Sequence, residues 1–301
     1  MPRQTMPAAP AGPLVVAFMN QAGGARKTTS AVTLGTLLAQ QGRRILLVDA
    51  DSQADASLLL GYGVPDQQDR DRVEAAQARL DKMTDIHDVL LGEASLTEAV
   101  VPGRTRVGPG DGDDAFAVVP GLDLVLGSRK MTQADAELVQ DETGFFWLRD
   151  ALEEDLPADS YDAVFIDCRA SLGRLEVSIL VGSDKVIACT KPESKDLRGV
   201  AELEKTIERT RHKFRRLGGA AELWHVLISG ARSHRAQGAV YQDMVKRAQK
   251  RYGDQLLPLV HNSVLAIESY DAQEPLPFWA PGSGIVQDYE KIVPLLDLNA
   301  R

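Results

Sequence analysis

One stretch constrains this chain more than any other. The apolar run Val15-Val16-Ala17-Phe18-Met19 passes through Asn20-Gln21-Ala22 into the pair Gly23-Gly24, then Ala25-Arg26-Lys27-Thr28-Thr29-Ser30, and from Ala31 to Leu38 the pattern reads as a helix start. A buried strand, a glycine-bearing turn, Lys-Thr and a helix make the layout of a phosphate-binding loop. Backbone N–H groups at the helix start point at a phosphate, Lys27 adds charge, and the Thr28 hydroxyl can ligate Mg²⁺. The residue before the lysine is Arg26, where such loops carry glycine to allow an unusual backbone shape and a close approach to phosphate. Taken alone, the segment also fits an ordinary βα turn with a chance Lys-Thr-Thr.

The later strands bear on that choice. Arg43-Arg44 leads into Ile45-Leu46-Leu47-Val48, which closes on Asp49-Ala50-Asp51, and Tyr161-Asp162 leads into Ala163-Val164-Phe165-Ile166, which closes on Asp167-Cys168. Strands that are apolar throughout suit a parallel sheet covered on both faces. Acids at their C-terminal ends fall at the same sheet edge as the loop, where open α/β sheets bind ligands. A carboxylate at Asp167 can hold Mg²⁺ opposite Lys27-Thr28. A simple capping acid at a strand end is the alternative.

Further strands are expected at 122–127, 184–190 and 224–229, with a late edge strand at 256–260. They alternate with helices at 30–41 (Gly42 its C-cap), 145–156, 194–211, 236–251 and 286–296. Residues 66–85 read as a charged surface helix or loop, 86–92 as a short helix, 171–173 as a mobile turn, and 103–114, rich in Gly, Pro and Asp, as a surface loop. The alternation predicts an α/β fold, a doubly wound, mostly parallel sheet flanked by helices. Residues 14–301 are read as a single domain behind a Pro/Ala-rich, disordered lead of residues 1–13.

No apolar run approaches the roughly 18 residues of a membrane span, and the start lacks the apolar core of a signal peptide. Cys168 and Cys189 both adjoin apolar strands, so reduced, buried thiols in a cytoplasmic protein are expected. A net charge of −9 argues against nucleic-acid binding over the whole surface. The charge is uneven, however. Arg209, Arg211, Lys213, Arg215, Arg216, Arg232, Arg235, Lys246, Arg247 and Lys250 crowd a span whose acids are few, Glu222 and Asp243 among them. Clustered Lys/Arg of this kind can track DNA phosphates without reading bases. A solvated helix face is the plain alternative.

In this order, the elements from Val15 to Leu296 resemble the ParA/MinD family of deviant Walker-A P-loop ATPases, and within it the ParA (Soj-like) partition proteins most closely. Asn20 to Thr29 resembles the family loop Asn-Gln-Lys-Gly-Gly-Val-Gly-Lys-Thr-Thr. Leu46 to Gln53 resembles its first switch, Leu-Val-Asp-x-Asp-Pro-Gln. Tyr161 to Gly173 resembles the Walker B strand and second switch, Tyr-Asp…Ile-Asp-Cys-Pro-Pro-Ser-Leu-Gly. Pro192-Glu193 and His261-Asn262 fall where the family has Pro-Glu and Arg-Asn.

The resemblance implies a P-loop NTPase fold and a mechanism. ATP drives formation of a homodimer that binds double-stranded DNA non-specifically on the nucleoid, and a ParB-type protein stimulates hydrolysis to ADP. By position, Gly23, Gly24, Ala25, Arg26, Lys27, Thr28, Thr29, Pro192, Glu193 and Asn262 would bind the nucleotide. Thr28, Asp51 and Asp167 would serve Mg²⁺, and Asp51 with Lys27 would serve catalysis. The chain departs from the pattern at Ala22, where the family's signature lysine reaches its partner's phosphates. It departs again at Arg26, at Ser52 and at Arg169-Ala170, which replace a glycine, a proline and a Pro-Pro pair. Weak or altered nucleotide binding and slow hydrolysis are expected, with Arg26 or Arg169 the candidates to restore the lost charge. Other readings are a nucleotide-independent DNA-binding or scaffold protein, a MinD-like positioning ATPase, which the acidic, Pro-broken tail disfavours, and a ligase-like ATP user of the same fold. A nitrogenase-reductase relative would need a cluster-bridging cysteine pair that Cys168 and Cys189 do not match.

Overall fold

The computed structural model describes residues 12–21, 23–63, 70–109, 113–219, 221–231 and 239–299. Eight strands form one sheet: β1 (Leu14–Met19), β2 (Ile45–Ala50), β3 (Val100–Arg106), β4 (Phe116–Val125), β5 (Ala163–Cys168), β6 (Lys185–Thr190), β7 (Glu222–Ala231) and β8 (Val260–His261). Their order across the sheet is β3-β4-β2-β5-β1-β6-β7-β8. Every pairing is parallel except β3 with β4.

The three central strands explain this topology. Every residue of β1, β2 and β5 is buried, so both faces need cover, and a parallel sheet between two helical layers provides it. Alternate residues feed two cores. Leu14, Val16 and Phe18 join one, with Phe18 edge-on to Phe165 at 5.1 Å, beneath the helix Lys27–Gln40 and the C-terminal segment around Tyr289. Val15, Ala17 and Met19 join the other, beneath the helices Arg174–Gly182, Ser194–Phe214 and Ala239–Tyr252. Each fully buried side chain of this size stabilises the fold by about 1.5–3 kcal/mol. The doubly wound sheet expected from the sequence is therefore the observed one. Both cysteines are free and buried within it.

Three expectations are corrected. The segment 103–114 is not all loop, because its start lies in β3, paired antiparallel with β4. Gly103 falls, with the preceding Pro102, at an irregularity between Pro102 and Arg104, and a Cβ at Gly103 would lie 2.9 Å from the Leu122 carbonyl oxygen. Edge strands tolerate Gly and Pro at such bulges. Arg104 holds the strand by stacking over Tyr62 and Phe116, at 4.1 and 5.1 Å from the ring centres. The late strand shrinks to β8 with an isolated bridge from Leu256 to Val226, since Pro258 lacks the donor a longer ladder needs. The closing helix is Gly284–Glu290 followed by a separate 3-10 turn, Val293–Leu295, that carries Pro294.

In this order β1 lies between β5 and β6, with β2 beside β5. The segments following β1, β2, β5, β6 and β7 therefore emerge at one edge.

Candidate functional site

The loop after β1 is stitched to its neighbours at both ends. Asn20, 1% exposed, donates from Nδ2 to the Cys189 carbonyl of β6 at 2.5 Å. The Ala25 carbonyl accepts from Ser229 Oγ of β7 at 3.2 Å. Gly24 has φ +69. Arg26, the helix N-cap, has φ 59 and ψ 35, in the left-handed region, and its carbonyl accepts from Ser30 N at 3.0 Å and Ser30 Oγ at 2.8 Å. The turn thus keeps a shape that glycine adopts freely and imposes it on arginine, at a cost of about 1–2 kcal/mol. Arg26 Nη2 donates to Asn262 Oδ1, while Nη1 is buried without a partner among the described residues. The helix that follows opens on Lys27, 7% exposed, and the half-buried Thr28 and Thr29, with no side-chain cap and no acid in its first turn. Uncapped N–H groups at a helix start favour an anion. Ala22 lies outside the described residues.

The acids sit beside this loop for a topological reason. Asp167 pairs in register with Phe18 of β1 on one side and with Asp49 of β2 on the other. Asp167 is 1% exposed, and neither carboxylate oxygen has a hydrogen-bond partner among the described residues. Burial and then the nearby Asp49 push its pKa well up, against the Thr28 hydroxyl and Lys27 ammonium. An orphaned buried carboxylate beside a threonine hydroxyl is a hard-oxygen donor set, so the residues present fit a divalent cation such as Mg²⁺.

Asp49 differs in kind. It accepts from Ser57 N at 2.8 Å and Ser57 Oγ at 2.6 Å. Burial raises its pKa in spite of those two bonds, and it serves to anchor the segment after β2. Asp51, just past β2, is half-exposed, with Oδ1 accepting from Gln53 N at 3.0 Å.

The expected site residues Gly23, Gly24, Ala25, Arg26, Lys27, Thr28, Thr29, Asp51 and Asp167 thus gather at one edge, and Asn262 joins them through Arg26. Pro192 and Glu193 follow β6 at that edge, Pro192 buried and Glu193 exposed. Lys191, which sequence reasoning passed over, belongs to the same cluster: a Cβ added at Gly24 would lie 2.9 Å from its Nζ.

Arg169 is not available as a replacement charge. Its Nε donates to Glu176 Oε1 at 2.6 Å and its Nη2 to Asp135 Oδ2. The turn expected to be mobile is tied to the same two acids. Ser171 Oγ donates to Glu176 Oε1 at 2.8 Å, Gly173 N to Glu176 Oε2 at 2.6 Å, and Leu175 N to Asp135 Oδ1 at 2.9 Å. Burial would raise the Asp135 pKa, but the Leu175 bond and Arg169 outweigh it and hold it below 3.8.

The basic residues fall on two helices of one layer, Ser194–Phe214 with its 3-10 extension Arg215–Leu217, and Ala239–Tyr252. Arg251 of the second pairs with Glu204 of the first at 2.6 Å. Arg209, Arg211, Lys213, Arg215, Arg216, Lys246, Arg247 and Lys250 are all exposed. Some are engaged within the protein: Arg211 with Glu222 at 3.5 Å, Arg247 with Asp243 at 2.7 Å, Arg209 with Thr206 Oγ1 at 3.1 Å, and Lys213 over the Phe214 ring at 5.0 Å. Arg215, Arg216, Lys246 and Lys250 make no ion pair among the described residues. Arg232 and Arg235 lie outside the described residues. Among those residues, no helix is long and apolar enough to cross a membrane.

Comparison with known proteins agrees with this arrangement. The AAA domain family matches residues 14–217. Chromosome partitioning protein ParA of Caulobacter vibrioides is 32% identical over 251 residues, 83% of this chain and 81% of that one. McdA of Cyanothece, solved with ATP, shares the fold with a TM-score of 0.72 at 14% identity, over 95% of this chain and 97% of that one. Cobyrinic acid a,c-diamide synthase of Mycobacterium smegmatis, solved with ADP and magnesium, gives a TM-score of 0.64 at 26% identity, over 91% of this chain and 98% of that one. With a family match over more than half its length and the matching loop, sheet and acids in place, this chain belongs to the ParA/MinD-type P-loop ATPases.

Proposed function

We propose that this chain is a ParA-like partition protein. It binds ATP with Mg²⁺, forms a homodimer, holds double-stranded DNA without sequence preference on the cytoplasmic nucleoid, and answers to a ParB-type partner. The observation that carries the reading is Asp167, a buried carboxylate with no hydrogen-bond partner among the described residues, set beside Lys27-Thr28 at the start of an uncapped helix. A phosphate-bound divalent cation accounts for all of these features together. The partitioning role of the ParA relative supports the DNA half of the reading.

In this reading the Gly23–Arg26 backbone and the N–H groups of Lys27, Thr28 and Thr29 hold the phosphates. Lys27 neutralises their charge, and Thr28 and Asp167, with Asp51 nearby, hold Mg²⁺. When bound, the cation neutralises charge that develops during phosphoryl transfer. Asp51, half-exposed and close to the loop, orients the attacking water. Asn262, Pro192 and Glu193 bound the rest of the nucleotide. Hydrolysis is slow, because Ala22 brings no charge and Arg26 is held by Asn262.

Calorimetric titration with ATP and ADP in Mg²⁺ tests the nucleotide half. Heat of binding is expected for both, and is expected to vanish in Lys27→Ala. Wild-type protein that takes up neither nucleotide overturns the reading in favour of a nucleotide-independent scaffold. For the DNA half, the uncommitted Arg215, Arg216, Lys246 and Lys250 are the first residues to test.

A further inference from the structure

We propose that Lys191, at the end of β6, is the cation that completes the phosphate site within its own chain, in the role for which Arg26 and Arg169 are both unavailable. The inference rests on the phosphate-site reading above and names a residue which that reading does not use.

Besides Lys27, three basic side chains at the loop or the second switch are candidates for this role among the described residues. Arg169 is held by Glu176 and Asp135. Arg26 is held by Asn262. Lys191 makes no ion pair with any described residue, and its Nζ lies against Gly24, 2.9 Å from where a Cβ would stand. That position is built. β6 pairs with β1 up to Met19 and Ala188. The Asn20–Cys189 hydrogen bond then joins the start of the loop to the strand that carries Lys191. The Lys191 carbonyl accepts from Glu193 N at 2.8 Å and Thr190 Oγ1 at 3.2 Å, and Pro192 stiffens the turn. The half-buried stem of Lys191 therefore leaves the strand beside β1 and crosses to the loop.

The electrostatics favour one ligand chemistry. The loop and the helix start present backbone N–H groups, an environment that repels a cation and attracts an anion. An ammonium held against such a loop, with no carboxylate of its own, forms with it a pair of positive features that an anion stabilises. The anion is a polyphosphate, since Lys27 opens the helix that follows the same loop and one site then engages two ammonium groups. Gly24 has a second reason to be glycine: besides its φ of +69, the place of a side chain is taken by Lys191 Nζ.

The test is calorimetry of Mg·ATP and Mg·ADP on the full chain, comparing wild type, Lys191→Ala, Lys191→Gln and Lys191→Arg, with thermal melting of each variant alone. Loss of one charge-assisted contact to phosphate weakens binding by about ten- to a hundredfold. That loss is expected in Lys191→Ala and Lys191→Gln, and Lys191→Arg is expected to recover most of it. Melting without nucleotide should be unchanged, since Lys191 has no ion pair to lose. Wild type that binds while the neutral variants bind equally well overturns the role of Lys191 and leaves the phosphate site standing. Wild type that binds neither nucleotide overturns the phosphate-site reading and this inference with it. An Arg variant as weak as the Ala variant, or a neutral variant that melts earlier in step with its loss of affinity, shows a structural residue and overturns the inference as well.

Discussion

Arginine at position 26 should cost this protein stability that glycine would return. Its φ of 59 and ψ of 35 lie in the left-handed region, where a side chain costs about 1–2 kcal/mol. Glycine gives back part of that gain, about 0.5–1 kcal/mol, through its greater freedom in the unfolded chain. Removing the guanidinium loses the bond to Asn262, worth about 0.5–1.5 kcal/mol, and removes a buried N–H without a partner, which costs about 1–3 kcal/mol. The side-chain effects are common to Arg26→Gly and Arg26→Ala, so the difference between these variants isolates the backbone. It should favour glycine by about 1 kcal/mol, or about 2 °C in melting temperature for a chain of this size. Scanning calorimetry or urea unfolding of the two variants reads it directly. An alanine variant at least as stable as the glycine variant would refute the reasoning, because it would mean that the turn relaxes out of the left-handed region once the arginine is gone.

Other perturbations separate the remaining roles. Asp167→Asn removes a carboxylate that burial disfavours, so the nucleotide-free protein should melt a few degrees higher while losing the stabilisation that Mg·ATP gives wild type; a variant still stabilised by Mg·ATP would clear Asp167 of metal binding. Asp135 has its pKa held below 3.8, so its contribution to stability is present above that pH and is lost as the pH falls through the depressed value. Asp135→Asn should therefore melt earlier than wild type at pH 7, and the gap should close as the pH falls through the depressed value and wild type loses the charge; a gap independent of pH would show that the carboxylate's charge is immaterial. Charge reversal at Arg215 and Arg216 should weaken binding to DNA of any sequence and flatten its salt dependence by roughly one unit of slope per lost phosphate contact, and unchanged retardation in a gel-shift assay would remove this end of the helix from the DNA surface.

The central strands were legible because a strand covered on both faces is apolar along its length, and β1 is so throughout while β2 and β5 are so up to the acids at their C-terminal ends. Their acidic ends were legible for the same reason, since Asp49 and Asp51 close one apolar run and Asp167 closes the other. At the edge of the sheet this signal fails. β3 carries Pro102 and Gly103 where a bulge accommodates them, so local composition reads as loop while the pairing with β4 is decided by residues further along the chain. Lys191 was illegible for a related reason. A lysine at a strand end carries no periodic signal, and its place at the loop depends on β6 lying beside β1, a fact of topology. The partnership of Arg169 with Asp135 spans 34 residues and likewise has no local trace.

The two arginines that replace small or rigid residues of the family pattern have a common fate. Each is turned inward onto a neighbour: Arg26 onto Asn262 and Arg169 onto Glu176 and Asp135. Glu176 is 1% exposed and Arg169 only 16%, and parting a pair buried to this extent costs about 3–5 kcal/mol when one partner is left behind. The family's Pro-Pro pair would restrict such a turn through its backbone; here charge pairing and hydrogen bonds to Ser171, Gly173 and Leu175 restrict it instead. Rigidity of the turn is therefore retained by different chemistry, and with a different dependence on conditions. A proline restraint is indifferent to pH, whereas this one weakens when Asp135 is protonated. The substitutions at 26 and 169 thus alter how the loop and the turn are held, and in the proposed reading they leave the supply of phosphate-binding charge to Lys27 and the strand-end Lys191.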